Sequence, residues 1–396
     1  MKFIHSADIH LGTPFKGLKD ISNSNRSKVI MYPSRAFNNL IDIAINEQVD
    51  FVLIVGDLFD SPHPSVNTLN VAFDGFQKLN KANIPVFLSF GNHDYLNSNI
   101  PLDYFPDNVN IFTKNDVEVK TFISKQGIKV GISGFSYNSR AEYDSKIIDY
   151  PKRQSDFDFE IGTIHGSMDG LKSPEAHYAP FTYSQLKSKN YDYWALGHIH
   201  KRQFINEDND VCYSGNTQGR NINEDGIKGI NVVSINDNNV NVEFMKTDVA
   251  EWKKIEISGS KDGNLNTLQK DVFEKLKNVE NKLVYININE ADLMPKDMVS
   301  DVNNGILLSK LQKETNTNLV LNIKLKISPK IKIFTKLDED YWQQASKQIF
   351  SSEEIKDVLG TLLKYEFISD YFDSETTNNL KEEIEMMFKQ KNIFGE

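Results

Sequence analysis

DFVLIVGDLFD, residues 50–60, holds an apolar run from Phe51 to Val55 that stops in Gly56, Asp57 and Asp60. A short apolar run closed by a glycine reads as a buried strand. The same form recurs on both sides of it. KFIHSADIHL (2–11) runs into Asp8 and His10, and IPVFLSFGNHD (84–94) runs into Gly91, Asn92, His93 and Asp94. Between these runs, SRAFNNLIDIAINEQ (34–48) and VNTLNVAFDGFQKLNKA (66–82) carry apolar residues at helical spacing. The β-α-β-α-β rhythm predicts an α/β domain. Downstream, VNIF (109–112), VEVKTFI (117–123), KVGISGF (129–135), FEIGTIHG (159–166) and YDYWALGHIHK (191–201) read as strands. YSQLKSK (183–189) reads as a helix, and VCYSG (211–215), GINVVSI (229–235) and VNVEFMK (240–246) as an antiparallel set. One mixed α/β domain is expected over 1–250.

The chain is 396 residues long, which predicts two or three units rather than one core. NLNTLQKDVFEKLKN (264–278) and KDMVSDVNNGILLSKLQKE (296–314) read as helices, and LVYININ (283–289) and LVLNIKLKI (319–327) as strands. Together they predict a small α+β module over 251–334. The remainder, 335–396, reads as a helical tail: DYWQQASKQIF, SEEIKDVLGTLLKYEFI and NNLKEEIEMMFKQK. That tail is acidic, with 7 Lys against 14 Asp and Glu. Overall, 39% apolar and 25% charged residues are the composition of a folded globular chain, which excludes disorder over most of the length. No window approaches 18 uninterrupted apolar residues, so no membrane span is expected. The first residues read as a strand and not as a signal peptide. Cys212 is the single cysteine and cannot close an intramolecular disulfide, which suits a reducing cytoplasm. The net charge of −10 argues against a protein held to nucleic acid by general phosphate contact.

The chemistry lies where the apolar runs stop. Asp8-x-His10, Gly56-Asp57-x-x-Asp60, Gly91-Asn92-His93-Asp94, His165-Gly166 and Gly197-His198-x-His200 each close a strand. In α/β sheets, sites form outside the carboxyl ends of strands, so all five motifs are expected at one rim. Imidazole, carboxylate and one amide, without thiolate, suit Mn²⁺, Fe²⁺ or Zn²⁺. Seven such donors exceed one tetrahedral zinc and match two ions sharing a carboxylate. Such a pair clamps a phosphate and converts a bridging water to hydroxide. A lone strand-end His or Asp is more often a satisfied turn residue; it is the ordered set that overturns the bland reading. His5 is expected to pack behind the rim. His63 and His177 are expected in loops, with substrate contact by His177 as the alternative.

Taken together, the five motifs resemble the calcineurin-like metallophosphoesterases over about the first 215 residues. FIHSADIHLGTPF, GDLFDS and YDYWALGHIHKRQ resemble the SbcD-type DNA repair nucleases, most closely the YhaO-type DNA repair exonuclease branch. The resemblance implies a β-sandwich flanked by helices over 1–250, a small α+β capping domain over 251–334 and an ATPase-binding helical tail over 335–396. It implies that Asp8, His10 and His200 hold one metal ion, that Asn92, His165 and His198 hold a second, and that Asp57 bridges them. Two divalent ions are expected, Mn²⁺ first, with Fe²⁺ or Zn²⁺ as alternatives. His93 would stand beside the scissile phosphate as a general acid, with Asp60 accepting its hydrogen bond and fixing its tautomer. Asp94 would stabilise a turn.

The implied activity is phosphodiester hydrolysis by a metal-bridged hydroxide, as a DNA exonuclease in DNA repair. The implied partners are DNA, an SMC-like ATPase of the SbcC/YhaN type held by the C-terminal helices, and a second copy in a homodimer. Ser61-Pro62-His63 stands where the Ser/Thr phosphatase branch carries an Asp-Arg-Gly, which argues against protein phosphatase activity. A phosphodiesterase for small nucleotides shares every metal ligand; a scaffold that positions DNA and barely cleaves is the other alternative, against which the intact ligand set speaks. Arg220 stays open between a phosphate contact and an ordinary surface arginine. Lys324, Lys326, Lys330 and Lys332 stay open between a DNA-backbone rail and a lysine-guarded sheet edge. The tail stripe of Tyr341, Trp342, Ala345, Ile349, Ile355, Val358, Leu359 and Leu362 stays open between packing on its own domain and docking on a partner.

Overall fold

Lys2–Ser6 (β1), Phe51–Val55 (β2) and Val86–Ser89 (β3) pair in parallel, with Phe3 opposite Phe51 and Val52 opposite Val86. The computed structural model describes residues 1–361 except 16, 17, 19, 20, 172, 174, 237, 238, 278, 315–317 and 329–335, and beyond 361 only 377, 380, 381 and 384. The three strands are apolar almost throughout because both of their faces are covered. On one face lie Asn23–Ile30 (α1), Tyr32–Asn46 (α2) and Val66–Lys81 (α3). The last is started by Ser65, whose Oγ accepts the Thr68 N–H at 3.2 Å. Phe37, Leu40, Ile41, Phe76 and Leu79 form the helical stripes that cover Ile4, Val52, Ile54, Val86 and Leu88.

Val109–Ile111 (β4) extends this sheet in parallel. A second six-stranded sheet follows from Glu118–Ile123 (β5), Lys129–Gly134 (β6), Phe159–His165 (β7), Tyr193–Gly197 (β8), Gln203–Phe204 (β9) and Val211–Tyr213 (β10), with Tyr183–Ser188 (α4) between β7 and β8. Its order is β5-β6-β7-β8-β10-β9. The chain then returns to the first sheet through the hairpin of Gly229–Asn236 (β11) and Asn239–Lys246 (β12), giving β12-β11-β1-β2-β3-β4. Phe3, Phe51, Phe87, Ile132, Ile161, Tyr193, Ala195 and Val233 pack between the two sheets, with Phe3 and Phe51 stacked at 4.8 Å. Each fully buried aromatic here contributes about 1.5–3 kcal/mol. The outer face of the second sheet is covered by Tyr150, Phe181 and Leu186 around Trp194 and Leu196. The fold is thus a β-sandwich flanked by helices.

The expected antiparallel set of three is corrected. Val211–Tyr213 lies parallel to β8 in the second sheet, while β11 and β12 belong to the first, where β11 runs antiparallel to β1. Alternation marks a strand but does not name its neighbour.

The chain divides into two compact units, the first being Met1–Lys253 with Val279–Val284 and Thr317–Leu321. The later strands Glu251–Ser258 (β13), Lys282–Asn289 (β14) and Leu319–Leu325 (β15) form a three-stranded sheet in that order. Leu265–Leu276 (α5), Lys296–Asn303 (α6) and Ile306–Glu314 (α7) accompany it. The helix expected over 296–314 is broken into two, because Gly305 takes φ +74° and ends the first of them. Lys336–Ile349 (α8) and Ser352–Leu359 (α9) follow. Lys330, Lys332 and Leu362 lie outside the described residues, as does 378–391 but for 380, 381 and 384. No helix among the described residues is long and apolar enough to cross a membrane.

Gly162 of β7 lets Trp194 of β8 lie flat: a Cβ there would stand 2.1 Å from the indole Cζ3. Trp194 is held from the far side by Tyr191, stacked at 4.9 Å. Gly162→Ala is therefore expected to cost about 1–3 kcal/mol of stability, as overpacking does. A lower urea midpoint in equilibrium unfolding is the check; an unchanged midpoint would show that this contact is not a packing constraint.

Candidate metal centre

β1, β2 and β8 end one or two residues before Asp8, Asp57 and His198, where the backbone turns left-handed, while β7 ends on His165 itself and β3 three residues before Asn92. Asp8, His10, Asp57 and His198 have φ of 51°, 50°, 53° and 93°. Non-glycine residues seldom adopt this region, at about 1–3 kcal/mol each, and it concentrates at functional sites. The turned segments are held by each other. The His10 N–H donates to Asp57 O at 2.9 Å and the Leu11 N–H to Leu58 O at 2.9 Å, which lays the first motif beside the second. The Gly56 N–H donates to Ser89 O at 3.1 Å, and the Gly166 N–H to Gly197 O at 3.2 Å. All five motifs therefore meet at one edge of the sandwich.

Seven side chains converge there, all of them buried: Asp8, His10, Asp57, Asn92, His165, His198 and His200. Among the described residues, Asp8 with His10 and His200, and Asp8 with Asp57 and His165, are each spaced closely enough to hold one ion. Asn92 Oδ1 stands 3.1 Å from His165 Nε2 and 3.2 Å from His198 Nδ1, so it closes a second donor group. Asp57 lies between the groups. Its Oδ1 accepts the His93 N–H at 3.0 Å, while its Oδ2 is 3.4 Å from His165 Nε2 and 3.7 Å from His10 Nε2. Asp8 accepts the His198 N–H on both oxygens, at 3.1 and 3.0 Å.

The outer nitrogens of His165 and His198 meet main-chain carbonyls, which fixes their tautomers, and those of His10 and His200 face carboxylates. His165 Nδ1 donates to Val55 O at 3.0 Å and His198 Nε2 to Ala176 O at 2.6 Å. His10 Nδ1 lies 3.0 Å from Asp60 Oδ1, and His200 Nδ1 3.0 Å from Glu224 Oε1. The inner nitrogens turn to the centre, where His10 Nε2 meets His200 Nε2 at 3.2 Å. With both rings neutral and protonated on Nδ1, these two nitrogens would offer lone pairs to one cation.

The electrostatics agree. Burial drives His10 and His198 down to about 3, so both are neutral, the form a metal binds. Burial raises Asp8 to about 6, although His165 and His200 pull it down. Burial would also raise Asp57, but the charges of His165 and His93 hold its carboxyl well below the usual range. Burial opposes a proton on His165, but the charge and hydrogen bond of Asp57, with the Asp8 charge and Val55 O, together push it up to about 9. A buried proton on His165 thus supplies positive charge that the carboxylates demand. The donor types, their convergence and this demand fit a pair of divalent cations.

Asp60 does not use its carboxylate on His93. The carboxylate holds His10 and, at 3.0 Å, Arg220 Nη1; the main-chain carbonyl of Asp60 accepts from His93 Nδ1 at 3.0 Å. The expected hydrogen bond therefore exists through the backbone. His93 is half-buried, the most open imidazole of the centre. Arg220 is not an ordinary surface arginine. It is half-buried between Asp60 and Glu224, the latter at 3.4 Å from Nε. Glu224 lay in the sequence without a role; its signal was the Arg220-x-x-x-Glu224 spacing in the loop after the strand bearing Cys212. Asp94 accepts from the Phe59 and Gly91 N–H groups at 3.1 and 2.7 Å and shapes the turn. His5 is buried against Tyr193 Oη and Leu196 O, at 2.9 and 3.1 Å, away from the ligands. Exposed His63 meets Asn99, and exposed His177 meets Asp169.

The fold and the centre define a metal-dependent hydrolase of phosphate esters. A model of the family described as calcineurin-like phosphoesterase matches residues 1–202. The chain is 36% identical over 282 residues to the metallophosphoesterase YhaO of Bacillus subtilis (strain 168), which covers 70% of this chain and 68% of that protein. It is 29% identical over 314 residues to the DNA double-strand break repair protein Mre11 of Methanocaldococcus jannaschii, covering 74% and 78%. With the Mre11 of Methanococcus maripaludis it shares 31% over 239 residues, covering 57% and 59%. The chain belongs to the calcineurin-like phosphoesterase family, and its resemblance to the SbcD- and YhaO-type proteins holds. It is an enzyme, a metal-dependent phosphodiesterase.

Gly91 leaves room for the ligands around it. A Cβ there would stand 2.3 Å from Asp57 Oδ1 and 2.7 Å from His165 Nε2. Gly91→Ala should weaken metal uptake by about tenfold or more, as displaced ligands do. Elemental analysis after dialysis reads this; full metal content would show that Asp57 needs no such space.

Proposed function

We propose that this chain is a two-metal-ion DNA nuclease, an exonuclease that acts in DNA repair beside an SMC-like ATPase. The observation that carries the reading is the position of Asp57 Oδ2, within 3.7 Å of His10 and 3.4 Å of His165, between two donor groups. Asp8, His10 and His200 would hold one ion, Asn92, His165 and His198 the other, and Asp57 both. Mn²⁺ suits mixed oxygen and nitrogen donors without thiolate, and Fe²⁺ or Zn²⁺ fits the same set. When bound, the two cations supply neutralisation of phosphate charge and activation of water. The protein supplies orientation. Asp8 and Asp57 are fixed by main-chain N–H groups, and each ligand histidine is fixed by its outer partner. His93 Nδ1 donates to Asp60 O, so Nε2 is left to meet a phosphate oxygen or to protonate the leaving oxygen. DNA as substrate is supported by the two relatives named as double-strand break repair proteins.

Removal of His93 and removal of Asp57 should fail differently. His93→Ala is expected to keep its metal and lose about 10²–10⁴ in turnover, the usual contribution of a general acid. Asp57→Ala is expected to lose metal. Elemental analysis beside cleavage of a duplex with an overhang separates these outcomes. A chromogenic diester run in parallel tests the DNA preference: hydrolysis of the diester alone would support a small-nucleotide enzyme, and failure on both substrates a scaffold.

The module over 251–334 is read as a cap and 335–396 as the ATPase-docking tail. Lys326 is engaged by Glu256 at 3.5 Å, so of the described lysines in the strand-edge run only Lys324 is exposed. That favours a guarded edge over a DNA rail. The tail supports docking: Tyr341, Ile349 and Val358 of the two helices are 65%, 58% and 83% exposed. Scattered single apolar residues need no partner, but three on one amphipathic segment do. A homodimer would use Ile30 and Met31, exposed between α1 and α2. A cytoplasmic setting agrees with the buried, free Cys212. Truncation at 335 should abolish capture of the ATPase coiled coil in a pull-down while leaving diester hydrolysis; retained capture would end the docking reading.

A further inference from the structure

The two donor groups are backed by different chemistry. His165 and His198 give their outer protons to neutral main-chain carbonyls, Val55 O and Ala176 O. His10 and His200 face carboxylates, Asp60 and Glu224. A carboxylate partner makes an imidazole a stronger donor and holds its ring more tightly than a carbonyl does. The two carboxylates are also tied together. Arg220 Nη1 reaches Asp60 Oδ1 at 3.0 Å, and its Nε and Nη2 each reach Glu224 Oε1 at 3.4 Å, with Nη2 3.2 Å from His200 Nδ1. Asp60 and Arg220 are 160 residues apart, so this link joins the turn after β2 to the loop before β11.

Glu224 is fixed from several sides. Its Oε2 accepts from Asn216 Nδ2 at 2.7 Å and from the Arg220 main-chain N–H at 2.7 Å. Its Oε1 accepts from Asn221 Nδ2 at 3.2 Å. So saturated, it is not available as a metal ligand; what it can do is hold His200. Arg220 places one cation between two half-buried carboxylates, which offsets the cost of holding them close together. Its planar fork spans both partners, as a lysine point charge does not.

We infer that Glu224, with Arg220 linking it to Asp60, is a positioning residue for the ion held by Asp8, His10 and His200, and for that ion alone. The inference rests on the two-ion reading proposed above. It makes the two ion positions unequal: one is anchored through three half-buried charged groups behind its histidines, the other through the main chain.

The test is calorimetric titration of the metal-free full chain with Mn²⁺, comparing wild type, Glu224→Gln, Arg220→Lys and Asn92→Ala. Glutamine keeps the volume and one acceptor oxygen of Glu224, so the loop can still close; the thermal midpoint in chelator checks this. In Glu224→Gln, one of two binding phases should weaken by about 10–100-fold, the usual effect of removing such a partner. The other phase should stay within about threefold. Arg220→Lys should weaken the same phase by less. Asn92→Ala should weaken the opposite phase, and the double variant Glu224→Gln/Asn92→Ala both. Equal weakening of both phases in Glu224→Gln, or of neither, overturns the inference. Failure of the nuclease reading looks different: no DNA cleavage, with these metal titrations unchanged. If wild type takes up one ion only, the two-ion reading fails, and loss or retention of that ion in Glu224→Gln against Asn92→Ala still decides the role of Glu224.

Discussion

One carboxylate oxygen sets the terms for this molecule. Asp57 Oδ2 stands 3.7 Å from His10 Nε2 and 3.4 Å from His165 Nε2, and these histidines belong to different sheets. For that oxygen to serve both groups, the carboxyl ends of β1–β3 and of β7–β8 must meet at one edge. The layer of Phe3, Phe51, Phe87, Ile161 and Tyr193 between the sheets holds them in that alignment. The core therefore acts on the chemistry through register: Phe3 opposite Phe51, and His165 opposite Gly197.

The cost of the arrangement is local. Four donors, or neighbours of donors in the same turns, sit at positive φ without being glycine. The hydrogen bonds between successive turns compensate, because each strand-end segment satisfies the backbone of the next. Glycines appear where a side chain cannot: a Cβ at Gly56 would stand 2.1 Å from His165 Nδ1, and one at Gly197 2.1 Å from Val55 O. These are the glycines that the motifs contain. Their spacing is thus a steric requirement of the ligand set and not a decoration of it.

Charge is the second constraint. Asp8 and Asp57 are both buried in the centre, and without cations His165 is driven to carry a proton. Behind one donor group, Asp60, Arg220 and Glu224 form a half-buried ion cluster, with desolvation opposing and Arg220 and His200 enforcing the charge of Glu224. Behind the other there are main-chain carbonyls. A centre built from similar ligands is in this way asymmetric in the groups that support them.

Much of this was legible in the sequence. Apolar runs ending in Asp8, Asp57, Asn92, His165 and His198 reported buried strands and a ligand-bearing rim, because strand-length periodicity and a polar stop are local properties. The helices of the first unit, α2 and α3, were legible for the same reason. The partners of strands were not: Val211–Tyr213 reads like β11 and β12 yet joins the other sheet, since pairing is decided by which surface is left uncovered. Which atom of Asp60 meets His93 was not legible either: its main-chain carbonyl accepts from His93, while its carboxylate holds His10 and Arg220. Arg220 and Glu224 carried no signal beyond their spacing. Their function depends on a loop meeting a turn 160 residues away, and one-dimensional pattern holds no distance across that gap. The sequence by itself determined which donors exist and that strands present them. Only the tertiary structure decided which atoms of those donors face inward, because that depends on the hydrogen-bond acceptors that packing places behind each ring.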